Sequence, residues 1–517
     1  MYVQPNTTIK IIKNCPLDID YANTIYFTSI AQQTAFFINT LDGYTLQNNS
    51  YQRVEKGKMR AALNAEVLYN CNYLAFQNSG FGNKWFYAFI TRVDYINNVT
   101  SEITYEIDIM QTWHFNYVLM DCFVEREHSV TDNIGDNLVP EKIDTGEYIS
   151  SDYSEPSDLS DCDIVLFCTV DQNYDDVSGY WNANANLVSG LYPVRFSNDL
   201  TGANSMTSWV QNLPLLKPNA IVSACVMPHK LIVPGGTFGH TVQRKTTLMR
   251  SDGTEVKNKK CLTYPYNFLY VTNYQGKSAI YRYEFFQYST TTGHENDIVF
   301  QMAGGVCPNP IVFSYPMSYK GLGENFDEGI QLSGYPQIPW NIDAFKAWLA
   351  QNATSIGITG LAASYANGNT PAQNPSGNSI ARSASSFALT AQIINGLAHS
   401  AMPPQSHGNA SGAGQFSAGL MTLGYMNKHV TPEFATIIDD YFSMYGYATN
   451  KVKRPNRNAR PEWNYVKTIG CKIDPDLTAG LPADDAKAIE DVYNKGITFW
   501  NNPAHIGNYS YNNAPTV

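Results

Sequence analysis

No aspartate or glutamate occurs between Asp343 and Glu433, and between Lys346 and Lys428 the only formal charge is Arg382. The stretch is rich in Gly, Ala, Ser and Asn with apolar residues interspersed, too sparse for an ordinary core and too greasy for an ordinary linker. Basic residues are short overall as well. With 34 Lys and Arg against 45 Asp and Glu, the net charge of -11 argues against static nucleic-acid binding, which needs clustered cations on phosphate. It leaves open a passage through which DNA slides. The nine cysteines are odd in number and contain no CxxC, so neither a disulfide framework nor a zinc module is indicated. No run reaches the roughly 18 apolar residues of a membrane-spanning helix, and the start MYVQPNTTIKII has no signal-peptide architecture.

Catalytic signatures are missing too. There is no GxSxG elbow, HExxH, P-loop or Rossmann glycine pattern, so no catalytic residue, metal or cofactor is expected. Glu102 and Glu106 could in principle serve a glycosidase as paired acids, although any large β protein offers such pairs. Asp158, Asp161 and Asp163 fit no EF-hand spacing and read as a solvated turn. His229 and His240 flank KLIVPGGTFG and read as loop-end residues. The densest basic cluster, Lys451, Lys453, Arg454, Arg457 and Arg460, is either a loop following a helix or an arm that binds phosphate or another subunit.

What is plentiful is aromatic surface, 13% of the chain with 35 tyrosines, which suits pleated, half-buried strands. In SEITYEIDIMQTW, Ile103, Tyr105, Ile107 and Ile109 alternate with Glu102, Thr104, Glu106 and Asp108, predicting a strand with one wet, acidic face. NKWFYAFITRV is apolar on both faces and predicts a strand between two layers. LTYPYNFLYVTNYQGKSAIYRYEFFQY predicts two strands joined by a turn at Asn273 to Gly276. Cys162 and Cys168 bracket DIVLF, which reads as a buried strand with the thiols as small hydrophobes. Three conventional helices are expected late in the chain. NIDAFKAWLAQNA starts at Asn341; TPEFATIIDDYFSMYG has Thr431 as cap and Gly446 as terminator; DDAKAIEDVYNKG has Asp484 as cap, Gly496 as stop and Ile489, Val492 and Tyr493 as its buried stripe. Between the first two, SASSFALTAQIINGLAHSAM places Phe387, Ala391, Ile394, Leu397 and Ala398 at helical spacing, long enough at about 1.5 Å per residue to cross a bilayer. Its polar side holds hydroxyls and amides, which suits a protein partner or a water-filled lumen better than a lipid headgroup layer.

Several blocks together are similar to one family. YLAFQNSGFGNKWFYAF, YEIDIMQTWHFN and VEREH in the N-terminal third, TYPYNFLYVTNYQGK near residue 270, and YGYATNKVKRPN, EWNYVKT, NKGITFW and IGNYS near the C-terminus closely resemble the tail knob, or distal tail tube, proteins of small short-tailed phages of the Salasmaviridae type. The blocks fall in the family's chain order, while the region from about 150 to 260 departs from the pattern and is shorter.

The resemblance implies a mainly β, α+β fold with β-barrel-like domains assembled as a homohexameric tube at the distal end of a virion tail. It implies as neighbours a proximal tail tube or lower collar protein and a tail tip protein, with viral DNA passing through. It further implies a nonpolar loop that plugs the lumen and is released into the host cell membrane. On this basis the expected division is a tube domain at 1–150, an inserted β domain at 151–260, a second tube domain at 261–343, the nonpolar loop at 344–427 and a completing segment at 428–517. The expected membrane-active residues are Ile356, Ile358, Leu361, Phe387, Leu389, Ile393, Ile394, Leu397, Leu420, Met421 and Leu423, and the expected lumen-facing acids are Glu102, Glu106 and Asp108. The other reading is a β-rich carbohydrate-binding or cell-wall-degrading protein with a flexible linker.

Overall fold

The computed structural model describes residues 6–49, 57–156, 162–170, 190–196, 220–232, 238–274, 276–304, 312–332, 337–338, 423–478 and 480–515. The chain divides into two compact, mainly β units, one built from residues 1–145, 248–261 and 432–517 and the other from 146–247 and 262–431.

The first unit contains a six-stranded antiparallel sheet with spatial order Gly43–Asn49, Thr7–Lys13, Cys71–Gln77, Phe86–Asn97, Thr100–Ile107 and Lys58–Ala61. Its central strands are apolar on both faces, as NKWFYAFITRV predicts. Tyr73, Ala75, Tyr87 and Phe89 pack on one side with Phe27 and Phe37, while Leu74, Ala88, Ile103 and Tyr105 pack on the other. Phe37 stacks on Tyr73 with ring centroids 5.3 Å apart and leans on Tyr87 at 4.6 Å. Each buried ring of this kind contributes about 1.5 to 3 kcal/mol by leaving water. The second sheet runs Asn23–Ile25, Ile497–Trp500, Trp463–Ile469, Cys122–Glu127 and Tyr447–Lys453, with its first pair parallel.

Two helices complete this unit. Pro432–Tyr445 begins on its proline and ends at Gly446, whose N–H donates to the Phe442 carbonyl at 2.9 Å. Gly446 has φ +63°, and a Cβ there would lie 2.3 Å from the Glu127 carbonyl oxygen, so only glycine suits the site. Ala483–Lys495 buries Ile489, Val492 and Tyr493 and stops at Gly496 as expected. Its cap is different: Pro482, in extended geometry, precedes the helix without a side-chain cap, and Asp484 lies inside the first turn.

In the second unit the expected hairpin forms from Asn267–Thr272 and Ser278–Tyr281, with Leu269 opposite Tyr281. It joins Gly424–Val430 and Tyr148–Ser154 in a four-stranded sheet. Another sheet orders Tyr192–Phe196, Cys162–Cys168, Ile221–Pro228 and Gln337–Ile338, and a third is built on Gly239–Gln243, Asp297–Gly304 and Val312–Tyr319. Val165, Phe167 and Val194 share one apolar core with Leu269, Val271, Tyr281, Phe300, Leu423 and Tyr425. Described residues from 151–260 and from 261–343 thus contribute to one apolar core. Residues 248–261 belong to the first unit.

The expected helices at 341–353 and 383–402 lie outside the described residues. Among the described residues, no helix is long and apolar enough to cross a membrane.

Candidate functional site

The strand Thr100–Ile107 alternates as its sequence predicts, with Ser101, Ile103 and Tyr105 buried and Glu102, Thr104 and Glu106 on the outer face. The outer face is not purely acidic. Antiparallel register places Arg60 and Asp94 opposite Glu102, and Lys58 and Arg92 opposite Thr104. Arg60 Nε lies 3.6 Å from Glu102, and Arg92 pairs with Asp94 at 2.7 Å. Cross-strand neighbours in an antiparallel sheet share a face, so cations from both flanking strands alternate with the acids. One strand read alone cannot reveal this.

Asp108 does not belong to that face. It is 1% exposed and caps the short helix Ile109–Thr112, accepting from the Gln111 N–H at 2.9 Å and from the Tyr73 hydroxyl at 2.8 Å. The strand ends one residue earlier, so the alternation stops and the carboxyl turns inward. Burial pushes its pKa up to about 6.

Of the expected membrane-active residues, Ile356, Ile358, Leu361, Phe387, Leu389, Ile393, Ile394, Leu397, Leu420 and Met421 lie outside the described residues. Leu423 is placed, fully buried in the core of the second unit one residue before the strand Gly424–Val430. That strand is hydrogen-bonded on both sides, so the segment ends before Leu423 and not at 427.

The basic cluster is mostly consumed within its own unit. Lys453 pairs with Glu127, and Arg460 donates to the carbonyls of Ser129 and Asn513. Arg457 sits over Tyr117 and Tyr26, at 5.3 and 5.7 Å from their ring centroids. Lys451 and Arg454 remain exposed, too few for a phosphate-binding arm. Asp163, expected in a solvated turn, is buried in a strand against His229 at 3.0 Å and Arg195 at 3.7 Å. His240 bonds to the Ser154 hydroxyl and packs on Tyr425, consistent with a structural place. Among the described residues no group of His, Cys, Asp and Glu could hold a metal ion.

Polar groups that the sequence reading did not single out are buried in the first unit. Asp439, on the inward stripe of Pro432–Tyr445, accepts from Arg250 and from the backbone of Lys257 and Asn258. Glu141 takes Arg126 and Lys260 together. His128 receives the Tyr465 N–H on Nδ1 at 2.8 Å and gives its Nε2–H to the Ser443 carbonyl at 3.1 Å, which fixes a neutral tautomer.

Burial holds His128 down to about 3 and His114 to about 4, from an ordinary 6.5. Arg460 and Arg126 beside His128, and Arg457 beside His114, act in the same direction. Below about pH 6.5 the unfolded chain binds protons that these folded imidazoles refuse, so their effect is to remove stability as pH falls towards 4. Asp108 has the opposite sign, its folded pKa of about 6 lying above its usual 3.8, so its penalty appears as pH rises between those values. Two histidines with larger shifts outweigh one carboxyl. The urea midpoint of the first unit is expected to fall between pH 6.5 and 4, with His128 still neutral by NMR at pH 5; a His128 titration near 6.5 sinks this assignment.

Comparison with known proteins adds two family matches. A family described as Bacillus phage phi29 tail knob protein gp9, C-terminal domain, matches residues 237–514, and one described as caudoviral major tail protein N-terminus matches residues 5–117. The chain is 24% identical to tail knob protein gp9 of Bacillus phage PZA over 98% of each chain. It is 23% identical to tail knob protein gp9 of Bacillus phage phi29 over the same shares. Among solved structures, the bacteriophage C1 tail knob protein gp12 is similar in fold, with a TM-score of 0.60 at 13% identity, covering 97% of this chain and 98% of that one.

Proposed function

The chain belongs to the family of the phage tail knob protein gp9, a structural component of the virion tail, and from this we propose that it forms the distal conduit for DNA ejection and carries its own membrane-penetrating loop. Six copies surround a hollow axis in this reading, joined above to a proximal tail tube or lower collar protein and below to a tail tip protein. The loop comprises the charge-poor residues from 344 up to, and not including, Leu423, between the strands Gln337–Ile338 and Gly424–Val430.

The observation that carries the reading is the absence of every acidic residue from 344 to 432 in a chain with 45 of them. Moving one carboxylate into hydrocarbon costs about 3 kcal/mol or more, so a segment destined for lipid sheds its acids. Small residues let several copies pack closely there. Both flanks of the segment are strands of the second unit, which suits a loop released while remaining tethered. The outer face bearing Glu102 and Glu106 would line the passage. Its mixed charge neither grips nor strongly repels phosphate, so DNA binding is weak and salt-sensitive.

The assembly is tested directly by mass and shape. Light scattering at micromolar concentration should give about six chains, and electron micrographs should show rings with an open centre. A mass of one or two chains, or a solid particle, overturns the conduit.

A further inference from the structure

Cys122 and Cys471 lie on neighbouring antiparallel segments of the first unit. Ile469 pairs with Phe123, a bridge joins Leu119 to Ile473, and Met120 N–H donates to the Lys472 carbonyl at 2.8 Å. Between these fixed points Gly470 takes φ +66°, a left-handed bend that interrupts the strand alternation. Both cysteines then enter the same apolar core, at 6% and 1% exposure. The two thiols are near enough to influence each other's ionisation, and both are free.

We propose that this pair is a modification site that closes to an intrachain disulfide in oxidising surroundings, with a small aliphatic disulfide as oxidant. Cys122, the more exposed, loses its proton, and its thiolate attacks one sulfur of the oxidant. The oxidant's S–S bond breaks and the departing thiolate takes up a proton. Cys471, deprotonated in turn, attacks the Cys122 sulfur, forming the Cys122–Cys471 bond and expelling the second half of the oxidant as a thiol. Two protein thiols are oxidised, and one disulfide is reduced to two thiols.

Burial raises both thiols, Cys471 to about 12, so closure is slow at neutral pH and its rate rises about tenfold per pH unit. The new bond closes a loop of about 350 residues, which restricts the unfolded chain far more than the folded one. It is a covalent lock suited to a particle that leaves a reducing cytoplasm.

Full-length protein incubated with hydroxyethyl disulfide at mildly alkaline pH is read by intact mass and by peptide mapping without reductant. The chain should lose two hydrogens without gaining an adduct, yield a peptide joining Cys122 to Cys471, and melt several degrees higher until reductant is added. The Cys122→Ser chain should show none of these changes. Absence of the joined peptide in the unmutated chain overturns the proposal, whatever other products form, and so does a joined peptide whose formation does not accelerate with pH.

Discussion

Replacing residues 353–420 by a short Gly-Ser linker is expected to leave a particle that assembles with the parental mass and no longer releases dye from lipid vesicles. The excised stretch holds Ile356, Ile358, Leu361, Phe387, Ile394 and Leu397, the apolar residues proposed to meet the bilayer, and one formal charge, Arg382. The cut stops short of Leu423 because that side chain is fully buried in the core of the second unit. Removing it would test folding instead of membrane action. The intact assembly, once triggered by acid or receptor contact, should leak dye. Ile394→Asp should lower leakage severalfold, since each copy would carry a carboxylate into lipid at a cost of about 3 kcal/mol. Leakage by the linker variant equal to the parent's would make the segment a mere connection. The conduit would then stand, and the penetration role would fall.

Asp439→Ala is expected to be the most damaging single substitution considered for the first unit. Asp439 is fully buried, yet it receives Arg250 at 2.5 Å, the Asn258 N–H at 2.9 Å and the Lys257 N–H at 3.0 Å. Asn258 adds its side-chain amide at 2.9 Å. Truncation leaves the largely buried Arg250 guanidinium with only its more exposed partners Asp440 and Asp252, and the Lys257 and Asn258 N–H groups without their carboxylate acceptor, a loss of about 3 kcal/mol or more. For a unit of this size the melting temperature should drop on the order of 10 °C. The neighbouring Asp440 also meets Arg250, at 2.8 Å, but its side chain is 56% exposed. Asp440→Ala should therefore cost less than about 1 kcal/mol. Calorimetry on the two variants decides the matter; equal shifts would show that Asp439 does not hold the segment 248–261 to its helix.

Sequence alone was a good guide wherever the signal was local. The alternation through Ile103 and Tyr105, the two-faced strand at Tyr87 and Phe89, the hairpin of Asn267–Thr272 with Ser278–Tyr281, and the stripe Ile489, Val492 and Tyr493 all occur as read. Each depends on a period or a turn residue within about a dozen positions, so a short window contains the cause. The family was legible for a related reason, since the blocks that carry the resemblance are each short and local, although identity to the relative of Bacillus phage PZA is 24%.

Other features depended on residues hundreds of positions apart. Nothing around Asp108 announces that its carboxyl turns in to meet Tyr73, and nothing around Asp439 names Arg250 as its partner. The basic run at 451–460 looked like an arm until Glu127, Ser129, Tyr26 and Tyr117 supplied its partners. The chain by itself determined the strand and helix periods, the family, and the long interval without acid, because these are properties of neighbours in sequence. Only the tertiary structure decided which charges are buried, which strand faces carry mixed sign, and that Val165, Phe167 and Val194 share a core with the hairpin. Burial and ion pairing are set by whatever the fold brings across from a distant strand, and a charge costs little or much according to that neighbour.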